Sequence, residues 1–187
     1  MALRDPSPKL TYEDYVLLPE DGKRHEIIDG EHYVTAAPFV PHQDLLVRLT
    51  VRLGAWVEDH QLGRFLIAPT DVILSPCDIV QPDLLFISRE RASIVTQKNV
   101  QGPPDLVGEI LSDSTRRLDQ EVKRKIYARF GVREYWLIDR SSRTIQVWEH
   151  AEGSFRLRAN LSTAARDILS TPLMPGLEIR LAEIFRD

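Results

Sequence analysis

The sequence predicts an α/β fold of the α+β kind, a central mixed β-sheet flanked by helices, and three observations carry that expectation. Apolar runs at FLIAPTDVIL, IVQPDLLFIS and PDLVGEILS are separated by Pro, Asp and Gly, the punctuation expected of buried strands. Two other segments repeat their apolar residues at helical spacing. Asp29-Gly30, a strong hairpin dipeptide, joins EIID to EHYVTA. No repeat, low-complexity tract or linker divides the chain, so one layered domain over residues 1–187 is the economical arrangement.

Taken in order, LTYEDYVLL predicts a short helix near Tyr12–Leu17, followed by a PEDG turn and the hairpin. From His42 to His60, Leu45, Leu49, Leu53 and Trp56 share one helical face with Leu46 and Val57 beside them, and Gly63 reads as the stop. The three apolar runs follow, then a helix around Asp119–Phe130. YWLID, a turn at RSSR and TIQVWEH read as a second hairpin. FRLRANL adds a strand, and LMPGLEIRLAEIF a short strand and a helical turn.

Composition narrows the function classes. A chain of 187 residues with 43% hydrophobic content is ordinary for a globular protein. No apolar run approaches the roughly 20 residues that span a bilayer, and MALRDPSPK lacks the apolar centre of a secretory signal. A cytoplasmic protein with no membrane partner is the expectation. The single cysteine, Cys77, excludes an internal disulfide and a thiolate zinc cluster. A net charge of −4 argues against a uniformly basic nucleic-acid binder, yet leaves room for a local basic face. Thr115–Arg133 is that region: seven cations against two acids give +5, leaving −9 elsewhere. A solvated amphipathic helix would look the same.

The chemistry rests on charged residues in apolar places. Glu109 sits among Leu106, Val107, Ile110 and Leu111, where an unpaired carboxylate is costly and must be paired, protonated or bound. Asp83 opens another core strand, ahead of Leu84, Leu85, Phe86 and Ile87. Two such acids on neighbouring strands either force one to protonate or recruit a hard cation such as Mg²⁺ or Mn²⁺. On the following helix Lys123 falls within the arc of Val122, Ile126 and Phe130, with Tyr127 at its edge, while Arg124 and Lys125 fall outside it. Asp119, four residues earlier, lies on the same face. Glu26 and His42 are further candidates at strand and helix ends. These are the ingredients of metal-assisted phosphodiester hydrolysis. They are equally those of a buried ion-pair network without catalysis, and a carboxylate pair also suits a glycosidase, although no aromatic sugar platform is evident. Motifs for a nucleotide-binding loop, a nucleophile elbow and a dinucleotide turn are absent.

YVLLPEDGKRHEIIDGEH, PHQDLLVRLTVRLGAWV, IVQPDLLFIS, PPDLVGEILSDSTRRLDQEVKRKIYARFGVREYWLID and MPGLEI follow one another over nearly the whole chain. In that order they resemble the Uma-type endonucleases, a restriction-endonuclease-like branch of the PD-(D/E)XK nuclease superfamily. The resemblance implies a restriction-endonuclease-like domain over residues 1–187 and a DNA endonuclease dependent on Mg²⁺ or Mn²⁺. Asp83 and Glu109 would be the metal ligands. Leu111 stands where the superfamily's lysine is usual, and Lys123 would replace it as catalytic base. Glu26 and His42 would match acid and histidine positions of the family. Arg116 and Tyr127 are the candidates for phosphate contact, and a homodimer is the simplest way to cut both strands of a duplex. A non-catalytic nucleic-acid-binding or regulatory module on the same fold is the alternative. Two departures stand out: Asp113 replaces a usual proline, and Gly108 replaces a bulkier aliphatic residue, which should loosen its strand by up to about 1 kcal/mol.

Overall fold

The computed structural model describes residues 8–186. Helix α1, Tyr12–Tyr15, is a single turn, shorter than the sequence predicts. Thr11 and Asp14 cap it, and Leu17 is left exposed, so no apolar face carries the helix further. Strands β1, Arg24–Ile28, and β2, Glu31–Thr35, form the expected hairpin. Asp29 and Gly30 take φ of 53° and 80° in its two-residue turn, the left-handed pair that Asp-Gly favours.

Helix α2, Val40–Asp59, starts two residues before His42 and buries Leu45, Leu46, Leu49, Leu53 and Val57. Gln61, at φ 53°, is the left-handed residue after it. Gly63, expected as the helix stop, instead opens strand β3, Gly63–Ile67. A side chain at Gly63 would collide with the backbone of Ile87 and Ser88, so close approach of two strands is what requires glycine there.

The remaining strands are β4 (Val72–Ser75), β5 (Asp78–Val80), β6 (Leu84–Ser88), β7 (Val100–Gln101), β8 (Leu106–Ile110), β9 (Glu134–Asp139), β10 (Thr144–Ala151), β11 (Ser154–Ser162), β12 (Ile168–Leu169) and β13 (Ile179–Arg180). They form a six-stranded sheet in the order β11-β10-β9-β8-β6-β3 and a five-stranded sheet in the order β2-β1-β5-β4-β7, while β12 pairs with β13. Both larger sheets are mixed, with β8–β9 parallel in one and β4–β7 parallel in the other. Two apolar runs that look continuous in the sequence therefore cross from one sheet to the other. FLIAPTDVIL breaks at Pro69 and IVQPDLLFIS at Pro82, where proline has no N–H to give a ladder. Pro82 thus leaves Asp83 at the junction of the sheets.

The six-stranded sheet is buried on both faces. Leu84, Phe86, Leu106, Ile110, Trp136 and Ile138 pack toward α2 and the C-terminal segment. Their alternates Leu85, Ile87, Val107, Tyr135 and Leu137 pack with the other helix and residues of the five-stranded sheet. That helix begins as a wide π-helical turn, Leu118–Lys123, and continues as α3, Arg124–Arg129. A short α4, Leu181–Ile184, ends the described chain beside α2. No helix among the described residues is long and apolar enough to cross a membrane.

Gly108 lies opposite Leu84 in the β6–β8 ladder. A Cβ at Gly108 would sit 2.7 Å from Leu84 Cδ1 and 2.9 Å from its Cγ, so Leu84 already occupies the space that the glycine leaves. The expected loosening is thereby offset by packing. Gly108→Ala should lower stability by about 1–3 kcal/mol through overpacking. Urea denaturation measures it as a lower midpoint with an unchanged slope; an unmoved midpoint would show that Leu84 repacks freely.

Candidate active site

Strands β1 and β8 and helix α2 converge on Asp83. Ahead of β6, it is buried, and its Oδ2 accepts from the Ile110 N–H at 2.8 Å and from His42 Nε2 at 3.1 Å. Its Oδ1 accepts from Arg24 Nη1 at 2.9 Å. Glu109, on the neighbouring strand β8, approaches the Asp83 N–H with Oε2 at 3.4 Å. Its Oε1 accepts from Lys123 Nζ at 3.1 Å and from the Tyr127 hydroxyl at 3.0 Å. Lys123 also lies 2.8 Å from Glu26 Oε1 and 3.6 Å from Asp119 Oδ1. Glu26 Oε1 in turn accepts from the Gln81 N–H at 2.7 Å. Arg24, Glu26, His42, Asp83, Glu109 and Lys123 all line one cleft of about 370 Å³.

The structure therefore brings together the five residues singled out for catalysis, and Glu109 has the partner its apolar surroundings require. It also adds Arg24. Arg24 and Glu26 are two residues apart on β1, so strand alternation turns both to one side, and that spacing was the available signal.

The cluster carries surplus negative charge. Glu26, Asp83, Glu109 and Asp119 are buried carboxylates, set against two fixed cations, Lys123 and Arg24. Burial, with Asp119, Asp83 and Glu26 nearby, pushes the Glu109 carboxyl well above its usual range despite Lys123. Burial likewise raises Asp119 to about 6 against the pull of Lys123. Burial acts to raise Asp83 too, but the His42 hydrogen bond, Arg24 and the Ile110 N–H outweigh it and hold that carboxyl at about 2. Hard carboxylate oxygens are the donors that a divalent cation such as Mg²⁺ or Mn²⁺ takes, and Asp83 and Glu109 are the residues here that could hold one. Among the described residues no group of three or more His, Cys, Asp or Glu side chains is placed to hold a metal ion.

Three expectations change. Lys123 does not suit a base: burial acts to lower its pKa, but Glu109, Glu26 and Asp119 overcome that and hold it as an ammonium, which has no lone pair to accept a proton. Tyr127 is fully buried beneath Glu109 and away from the cleft, so it supports the carboxylate instead of meeting a phosphate. The basic stretch is largely neutralised, by acids from other elements and by its own Glu121. Arg129 reaches Asp29 and Asp78, Arg133 reaches Asp105, and Arg117 pairs with Glu121. Arg116 lines the cleft as expected, but its Nη1 rests on Asp139 Oδ2 at 2.8 Å.

Comparison with known proteins bears on this arrangement. The model of the Uma2 family, described as "Putative restriction endonuclease", matches residues 12–182. Curated proteins gave no match. A solved structure from Anabaena variabilis ATCC 29413, described as "a putative nuclease belonging to DUF820", shares the fold: its TM-score is 0.77 at 16% identity, covering 94% of this chain and 97% of that one. The family match spans every residue of the cleft, and the chain belongs to the Uma2 family.

Proposed function

We propose that the protein is a metal-dependent endonuclease that hydrolyses phosphodiester bonds in DNA, with Asp83 and Glu109 holding Mg²⁺ or Mn²⁺. The observation that carries this reading is the buried Asp83–Glu109 pair, set in a cluster of four buried carboxylates against two cations and opening onto a cleft. A bound cation supplies Lewis acidity toward a phosphoryl oxygen and lowers the pKa of its water.

The chain's own residues hold the geometry. Lys123 fixes Glu109 Oε1 and keeps a permanent positive charge under the site, where it offsets negative charge developing on the phosphate. Glu26 anchors Lys123, and Tyr127 donates to Glu109 from the other side. His42, in the first turn of α2, donates to Asp83 Oδ2 and orients it. Arg24 lines the cleft with its guanidinium on Asp83, where it can neutralise a phosphate oxygen. Two-fold symmetry would present one such site to each strand of a duplex, so the reading includes a homodimer, acting in the cytoplasm.

A second reading, a non-catalytic nucleic-acid-binding or regulatory module, draws on one observation: both Asp83 oxygens already hold protein donors. Supercoiled DNA incubated with the protein and Mg²⁺, Mn²⁺ or EDTA, together with Mn²⁺ calorimetry, separates the two. The nuclease reading expects nicked and linear DNA with either metal, none in EDTA, and a Mn²⁺ heat that Asp83→Asn removes. Salt-sensitive DNA binding with neither cleavage nor Mn²⁺ heat would select the module.

A further inference from the structure

A second cleft, of about 260 Å³, adjoins the carboxylate cleft and shares Pro41, Arg140 and Ser141 with it. Arg48, Arg140, Arg143 and Arg186 line it, and Asp44 is the carboxylate among its described lining residues. In a chain of net charge −4 this is a segregated positive surface. We propose that this arginine-lined cleft binds phosphates of the nucleic-acid strand that continues from the bond cleaved next door. The inference rests on the nuclease reading and adds to it the path of the substrate.

The surroundings of Arg48 and Arg140 set these two apart from arginines that are paired with acids. Arg91, Arg116, Arg129, Arg133 and Arg158 all rest on carboxylates that cancel their charge. Arg48 Nη1 instead donates to the main-chain carbonyls of Ile184, at 3.3 Å, and Arg186. Neutral acceptors hold a guanidinium in place without neutralising it. The Arg140 side chain, on the wall common to both clefts, has no hydrogen-bond or ion-pair partner among the described residues.

The first turn of α2 contributes as well. It contains no acid, and Pro41 within it lines both clefts, so the positive end of a 20-residue helix dipole faces the same region. Planar guanidinium groups match phosphate oxygens, and two adjoining clefts suit a polymer of phosphates better than one small anion.

Fluorescence anisotropy in EDTA tests the proposal, with a labelled 20-nucleotide single strand and the matching duplex as probes. Arg140→Gln should weaken binding about three- to tenfold and reduce the slope of log affinity against log salt by about 1. Lys98→Gln, which alters an exposed lysine outside both clefts, should match wild type. Retained Mn²⁺ heat in Arg140→Gln would establish that the variant is folded with its carboxylate site in place. Wild-type affinity and salt slope in Arg140→Gln, with DNA cleavage by the wild type intact, would overturn the phosphate cleft alone. A wild type that binds neither probe would overturn both this inference and the nuclease reading.

Discussion

Glu109→Gln is expected to abolish metal-dependent DNA cleavage while leaving the protein folded. A carboxylate ligand to a metal that stabilises developing charge is worth several kcal/mol in the transition state. At about 1.4 kcal/mol per factor of ten, the loss is roughly 10³-fold or more. Glutamine keeps the size of the side chain, and its amide oxygen can still accept from Lys123 and Tyr127. Burial and the neighbouring acids already disfavour the ionised form of Glu109, and glutamine is neutral, so stability should hold or rise. Rates of supercoil loss with Mn²⁺, measured beside thermal melting, test both halves. Unchanged cleavage by a folded Glu109→Gln would remove Glu109 from the reaction.

Lys123→Met should have the largest effect on stability, a loss of about 3–5 kcal/mol near pH 8. Methionine replaces the stem, but Glu26, Glu109 and Asp119 lose the ammonium that sits 2.8, 3.1 and 3.6 Å from them. The sign of the pH dependence follows from the raised carboxyls. Asp119 titrates near 6 in the folded protein against 3.8 as a free side chain, so in that window the folded state holds a proton that the unfolded state lacks. Its contribution to stability therefore falls as pH rises from about 4 to 6, and Glu109 is shifted in the same direction. Removing Lys123 strengthens both shifts, so the deficit of Lys123→Met should shrink as pH is lowered from 8 toward 5. Asp83 runs the other way: held at about 2, it contributes stability above its ordinary 3.8 that is lost only as pH falls through 2, outside this window. Denaturant titrations at pH 5 and pH 8 measure the difference. Equal stability of variant and wild type at pH 8 would mean that the three carboxylates are not ionised against Lys123.

Asp83, Glu109 and Lys123 were legible in the sequence because each interrupts a local apolar pattern, and a pattern of period 2 or 3.6 is a property of neighbouring residues. The hairpin at Asp29-Gly30, the buried face of α2 and the strands around both acids follow from the same local rules. The division into two sheets was signalled only by Pro69 and Pro82, since a proline shows where a ladder breaks and not where the chain goes next. Gly108 looked like a weakness until Leu84, 24 positions away, was seen to fill its place.

The site's electrostatics lay further out of reach. Arg24 meets Asp83 across 59 residues, and the cations of the basic stretch find Asp29, Asp78 and Asp105 on distant elements. Whether Lys123 is a base or a fixed cation depends on Glu26, Glu109 and Asp119 arriving from a strand, another strand and a helical turn. The sequence by itself determined which charged residues interrupt apolar patterns and which way each faces on its own element. Tertiary structure alone decided their partners and charge states, because Coulomb and desolvation energies depend on distance and burial in space and have no period along the chain.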